Sequence, residues 1–284
     1  MAVPNPDTMR AFGVDGTPTP LLGGRGLCYR VGDTVLRPSD NDDETNWIAR
    51  VLHDLPSSAA YRISQPKAVA AEPTNFIHNG WTAWSFLPGE AGVTPRFADI
   101  LRVSRVFHTD IASLDLQKPQ FLEQRTNRWH EADLVTWGEK RLEDIEKVNE
   151  EILALFQPML EKLQQIKRPL PANLSYQVIH ADLTGNVLFD DDAPPGIIDI
   201  TPYWRPAEYA EAIIVADGLV WHGEGQDLIE IYGMDDVRLQ LLVRAVYWRC
   251  ITFAIDTDVQ WVQQHVAKAD FQGALDIIHD LIGK

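Results

Sequence analysis

The period of the apolar positions changes along this chain. Leu27-Cys28-Tyr29-Arg30-Val31 and Thr34-Val35-Leu36-Arg37 flank a Gly32-Asp33 pair, which predicts a tight β-hairpin within residues 20–37 that ends at Pro38. Ser39 to Asp43 then offers N-cap residues, and Trp47, Ile48, Val51, Leu52 and Leu55 recur at helical spacing, predicting a helix over 43–54. Glu44 falls on the apolar stripe of that helix, where a carboxylate needs a cationic partner. Arg62-Ile63-Ser64 and Asn75-Phe76-Ile77 read as short strands, and Trp81 to Leu87 as a stronger one stopped by Pro88-Gly89.

From Phe97 onward the period is helical. Ile100, Leu101, Phe107 and Ile111 mark one helix; Leu142, Ile145, Val148, Ile152, Leu155 and Phe156 mark a long one, which Pro158 should break before Met159, Leu160, Leu163 and Ile166. Two apolar strand-like runs follow at 178–189 and 196–200, and helices are predicted over 205–222, 237–256 and 270–283. The fold class is therefore α+β, with a small β-rich unit over 1–87 and a larger, mainly helical unit over 88–284.

Composition narrows the partners. The chain has 284 residues, 45% of them hydrophobic, enough for a sizeable core. A net charge of −16 argues against nucleic acid and anionic membranes as partners. The first 88 residues carry 7 basic and 9 acidic side chains, and the remainder 18 and 32. That acidic excess serves solubility, and a cationic substrate would also be drawn to it. Two cysteines make no disulfide scaffold, and neither a signal-peptide pattern nor a membrane-length apolar run is present, so a cytoplasmic protein is expected.

The chemistry concentrates in Val178-Ile179-His180-Ala181-Asp182-Leu183-Thr184-Gly185-Asn186-Val187, followed by Gly196-Ile197-Ile198-Asp199-Ile200. Two strands each deliver a carboxylate, with a histidine and an asparagine between them. Phosphoryl transfer uses such a set: one aspartate orients the attacking hydroxyl and takes its proton, and an Asn/Asp pair holds magnesium. A hydrolytic metal centre built on His180, Asp182 and Asp199 is the rival chemistry, but His222, His265 and His279 form no clustered ligand motif with them. Asp190-Asp191-Asp192 reads as an exposed turn between the two strands. Glu208, Glu211, Asp217 and Glu224 sit at helical spacing and read as a solvated face, with the substrate cleft as the alternative.

The 178–200 segment resembles the catalytic and metal-binding loops of the aminoglycoside phosphotransferase-like kinases, relatives of the protein kinases. The resemblance implies a two-lobe kinase-like fold that transfers the γ-phosphate of ATP, with Mg2+, to a hydroxyl of a small molecule. It implies Asp182 as the base, His180 as a brace of the loop, and Asn186 and Asp199 as metal ligands. Gly23, Gly24 and Gly26 would cover the nucleotide, Trp84 and Phe86 would form the adenine-binding hinge, and Arg37 paired with Glu44 would clamp phosphates. Three departures stand out. Arg37 occupies the place of the family's lysine, Asn186 follows Asp182 by four residues rather than five, and Ile200-Thr201-Pro202 follows Asp199. A catalytically silent pseudokinase, binding nucleotide or a partner, is the alternative these departures favour.

Overall fold

The structure is a computed structural model and describes residues 3–21, 26–92 and 95–283. Helix α1 (Pro6–Ala11) starts where the Asn5 side chain accepts from Thr8 N at 2.8 Å. Strands β1 (Thr19–Pro20), β2 (Tyr29–Val31) and β3 (Thr34–Pro38) follow, the last two joined by the expected two-residue turn, with Gly32 at φ +60°. Helix α2 (Asp42–Asp54) is capped by Asn41 through Glu44 N and buries Ile48, Val51 and Leu52. Strands β4 (Arg62–Ile63), β5 (Pro66–Lys67) and β6 (Trp81–Ser85) complete this part.

Five of these strands form one antiparallel sheet in the order β1-β2-β3-β6-β5. Along β6, Trp81 and Ala83 pack with Leu36, Val31 and Phe12 in a small core, whereas Trp84, one position out of phase, joins the main core on the other face. Asn75-Phe76-Ile77 is not the strand its apolar residues suggest. Phe76 is buried, but Phe76 N is met by the Asn46 side chain and Asn75 O by Val69 N, so the segment is a folded loop.

The helical part begins with α3 (Phe97–Ala112), α4 (Arg128–Trp137) and α5 (Glu150–Ile166). Residues 142–144 form only a 3-10 turn, because Asn149 caps a fresh helix start by accepting from Glu151 N and Ile152 N. Pro158 does not break α5. The lost hydrogen bond would have gone to Ala154 O, and both residues lie on the exposed face, where water can serve that carbonyl.

Next come β7 (Gln177–His180), β8 (Val187–Asp190), β9 (Ala193–Ile197) and β10 (Pro202–Arg205). Strands β7 and β10 pair antiparallel with His180 opposite Pro202, and β8 and β9 form a hairpin whose Asp191 and Asp192 are exposed, as expected. Strand β4 joins that hairpin in parallel through β9, tying the first part of the chain to the second. Helices α6 (Ala207–Trp221), α7 (Gln226–Tyr232), α8 (Asp236–Ala254), α9 (Val259–Val266) and α10 (Phe271–Ile282) follow. Helices α6 and α8 are buried on nearly all sides, their apolar residues interrupted by a few polar and charged side chains that are buried with them. The whole is an α+β, kinase-like two-lobe arrangement, an antiparallel sheet followed by a mainly helical part.

Candidate active site

The apolar residues Val178 and Ile179 bury β7 and thereby fix where the following loop emerges. His180, at the end of β7, is 1% exposed and fully engaged. Its Nδ1 accepts from Asp182 N at 3.2 Å and Thr201 N at 3.4 Å, while its Nε2 donates to Ile198 O at 3.3 Å. These partners specify one neutral tautomer, and burial pushes the ring down to about 4. One imidazole thus ties both chemistry-bearing segments together.

A second histidine supports the first. His108 on α3 accepts from His180 N through Nε2 at 3.0 Å, and its Nδ1 donates to Ser104 O at 2.8 Å. Burial holds His108 neutral, down to about 3. Sequence reasoning missed it, since a lone histidine on an amphipathic helix carries no sign of its distant partner.

Asp182 projects from the loop with its side chain 47% exposed. Asn186 Nδ2 donates to Asp182 O at 2.7 Å and lies 3.4 Å from Oδ2. The short loop closes through Gly185 at φ +84°, and Asn186 N bonds Leu183 O at 3.0 Å. Four residues therefore suffice to bring the asparagine back to the aspartate. On the other side, Arg249 Nη2 of α8 stands 3.6 Å from Asp182 Oδ1. Burial raises the Asp182 carboxyl above its ordinary range; Arg249 pulls it down, and Asp217 and Asp199 push it further up.

Arg249 is itself gripped by Asp217 of α6, Nε to Oδ1 at 2.7 Å and Nη2 to Oδ2 at 2.8 Å, with Asp217 buried and Arg249 mostly so. Asp217 is therefore not on a solvated face. Neither is Glu211, which pairs with Arg105 at 2.7 Å while 7% exposed. An acidic residue every few positions along a helix marks a solvated face only when the helix is peripheral, and α6 is central.

Asp199, in the connection between β9 and β10, has φ +53°, a left-handed conformation uncommon outside glycine. Its carboxylate is met by the Arg37 guanidinium. The expected Arg37–Glu44 pair is not formed. Glu44 is instead taken by Arg125, which comes from the segment before α4, is 6% exposed, and also donates to Pro202 O at 2.7 Å. Sequence alone misassigned the partner because Arg125 is 81 residues away and no local spacing links it to α2.

The remaining expected residues divide. Gly23 and Gly24 lie outside the described residues, and Gly26 has φ +66°. Trp84 is a core side chain, 7% exposed, with its ring 5.6 Å from the Arg37 guanidinium carbon. Phe86 N donates to Asp33 O at 2.7 Å, and its ring lies 3.5 Å beneath the Arg30 guanidinium carbon, so its own amide is not open to an adenine edge.

The donor set suits a small hard cation. Asn186 spends its amide nitrogen on Asp182, which leaves Oδ1 as its remaining donor atom, and Asp199 offers an exposed carboxylate. Magnesium takes few protein oxygens, its shell being completed by phosphates and water.

Residues 29–201 match the phosphotransferase enzyme family (APH), and the chain belongs to that family. No curated protein sequence matches it. Among solved structures, spectinomycin phosphotransferase APH(9)-Ia, in complex with ADP and spectinomycin, has a TM-score of 0.55 at 16% identity, covering 96% of this chain and 95% of that one. A thermostable mutant of aminoglycoside phosphotransferase APH(4)-Ia, in ternary complex with AMP-PNP and hygromycin B, has a TM-score of 0.58 at 16% identity, covering 96% of each. Choline kinase LicA from Streptococcus pneumoniae has a TM-score of 0.53 at 10% identity, covering 96% of this chain and 97% of that one. At such identities the likeness is one of fold.

Proposed function

We propose that this protein is an ATP- and Mg2+-dependent phosphotransferase that moves the γ-phosphate of ATP to a hydroxyl of a small molecule. The observation that carries the reading is the loop in which Asp182 is held beside Asn186, with His180 Nδ1 tying that loop to the β9–β10 connection that carries Asp199. Asp182 takes the hydroxyl proton as the acceptor oxygen attacks phosphorus, and His180 keeps the loop and the Asp199 segment in register. Asn186 Oδ1 and Asp199 would hold magnesium, which when bound neutralises phosphate charge. Residues 1–87 would then be the nucleotide lobe, with Arg37 reaching the phosphates, and 88–284 the catalytic lobe. Two of the structural relatives were solved with ADP or AMP-PNP beside their antibiotics, which supports ATP as donor and a small molecule as acceptor.

The first test is thermal unfolding with ATP, with and without magnesium. A ligand at about 100 times its Kd adds roughly 2.7 kcal/mol, a readily measured rise in Tm. A magnesium-dependent rise, followed by phosphate release from ATP with hydroxyl acceptors, is the expected result. A second reading, a silent nucleotide-binding module, is favoured by one observation: Arg37 occupies the Asp199 carboxylate. It predicts the thermal shift without any phosphate release.

A further inference from the structure

Beyond Asn186 on its own loop, Asp182 has one side-chain partner among the described residues, Arg249. This contact reaches the loop from the most buried helices of the molecule. Arg249 sits on α8 and is locked in both position and orientation, since Asp217 of α6 takes Nε and Nη2 in a bidentate fork and the Trp248 ring lies 4.6 Å from its guanidinium carbon. A buried ion pair between two helices is a poor device for stability, because desolvation consumes most of the attraction and apolar residues would serve as well. Here the fork aims the remaining face of Nη2 at Asp182 Oδ1, while Asn186 Nδ2 approaches Oδ2. Each carboxylate oxygen thus has its own side-chain neighbour, Arg249 at Oδ1 and Asn186 at Oδ2, and the carboxylate remains half-exposed.

We propose that Arg249, held by Asp217, is a positioning residue that fixes the direction in which Asp182 presents its carboxylate to the acceptor. The inference rests on Asp182 being the base. Arg249 reaches the reaction through Asp182, and a carboxylate displaced by about 1 Å can cost on the order of 100-fold in rate.

The test follows phosphate release from Mg-ATP with water as the acceptor. The water oxygen bonds to the γ-phosphorus, the bond to the β,γ-bridging oxygen breaks to leave ADP, and the water proton passes to Asp182. Arg249→Gln should lower kcat by about 10- to 100-fold while leaving KM for ATP within about twofold. In an Asp182→Asn background, Arg249→Gln should cause no further loss, the non-additivity of residues that act as one unit. Since Arg249→Gln leaves Asp217 buried without a partner, the Asp217→Asn/Arg249→Gln double variant is measured beside it. That double variant replaces the pair by neutral amides, and it should melt near wild type yet keep the low kcat.

Wild-type kcat in the folded double variant would make the pair purely structural and overturn the proposal. So would losses that multiply in the Asp182→Asn background. If Asp182→Asn itself turns over at the wild-type rate, the base reading fails instead and takes this inference with it.

Discussion

Asp182 and the two buried histidines are where single atoms matter most. Asp182→Asn removes the proton acceptor but keeps the contact with Asn186, so turnover should fall by about 10^2- to 10^4-fold with ATP affinity retained. Isothermal titration of the variant with Mg-ATP checks the second half; lost binding would argue against the role. His180 and His108 are buried neutral, at about 4 and about 3, whereas both titrate near 6.5 once unfolded. Above pH 6.5 neither state binds a proton there, and stability is flat. As pH falls below 6.5 the unfolded chain gains protons that the folded one refuses, so stability drops by up to about 1.4 kcal/mol per pH unit for each ring. Urea melts between pH 7.5 and 4.5 should show this slope, and His108→Gln, which offers an amide oxygen in place of Nε2, should reduce it. His180 was legible because it stands two residues before Asp182; His108 was not, because its partner is 72 residues away.

At the level of elements, helices α2, α3, α6, α8 and α10 and the hairpin over 29–38 could be read from period and turn chemistry. The errors have separate local causes. The stripe over 142–156 continued through Val148, but Asn149 offers its side chain to two amides and starts the helix there. Phe76 looked like a strand residue because it is buried, and burial alone does not set backbone pairing. Pro158 survives within α5 because the face it weakens is wet, yet its missing hydrogen bond remains a cost. Pro158→Ala should therefore stabilise the protein, by up to about 3 kcal/mol, and a few degrees' rise in Tm by calorimetry would show it. A fall in Tm would mean that the proline fits a bend which packing requires.

Across the whole molecule, Trp84 and the buried face of α2 share one apolar core with the helical part, and a few specific ties reinforce that seam. Strand β4 pairs with β9, Arg62 bonds Pro194 O at 2.6 Å and Pro88 O at 3.0 Å, Arg37 meets Asp199, and Arg125 holds Glu44 while bonding Pro202 O. The last is the most buried, and removing one partner of a buried pair is costly because the other charge is stranded. Arg125→Gln should lose about 2–4 kcal/mol, a drop of several degrees in Tm, with little relief from added salt. An unchanged Tm would show that water replaces the guanidinium at Glu44 without cost.

Sequence by itself determined the class of element in most places and the residues of the 180–199 constellation, because both are written locally: in the period of apolar side chains, and in short spacings that bring His180, Asp182 and Asn186 onto one turn. Only the tertiary structure decided which charge meets which. Arg37 with Asp199, Glu44 with Arg125, and Arg249 with Asp217 and Asp182 join residues 32 to 162 positions apart. A charged side chain chooses its partner by distance and burial after folding, and no periodicity along the chain records that choice.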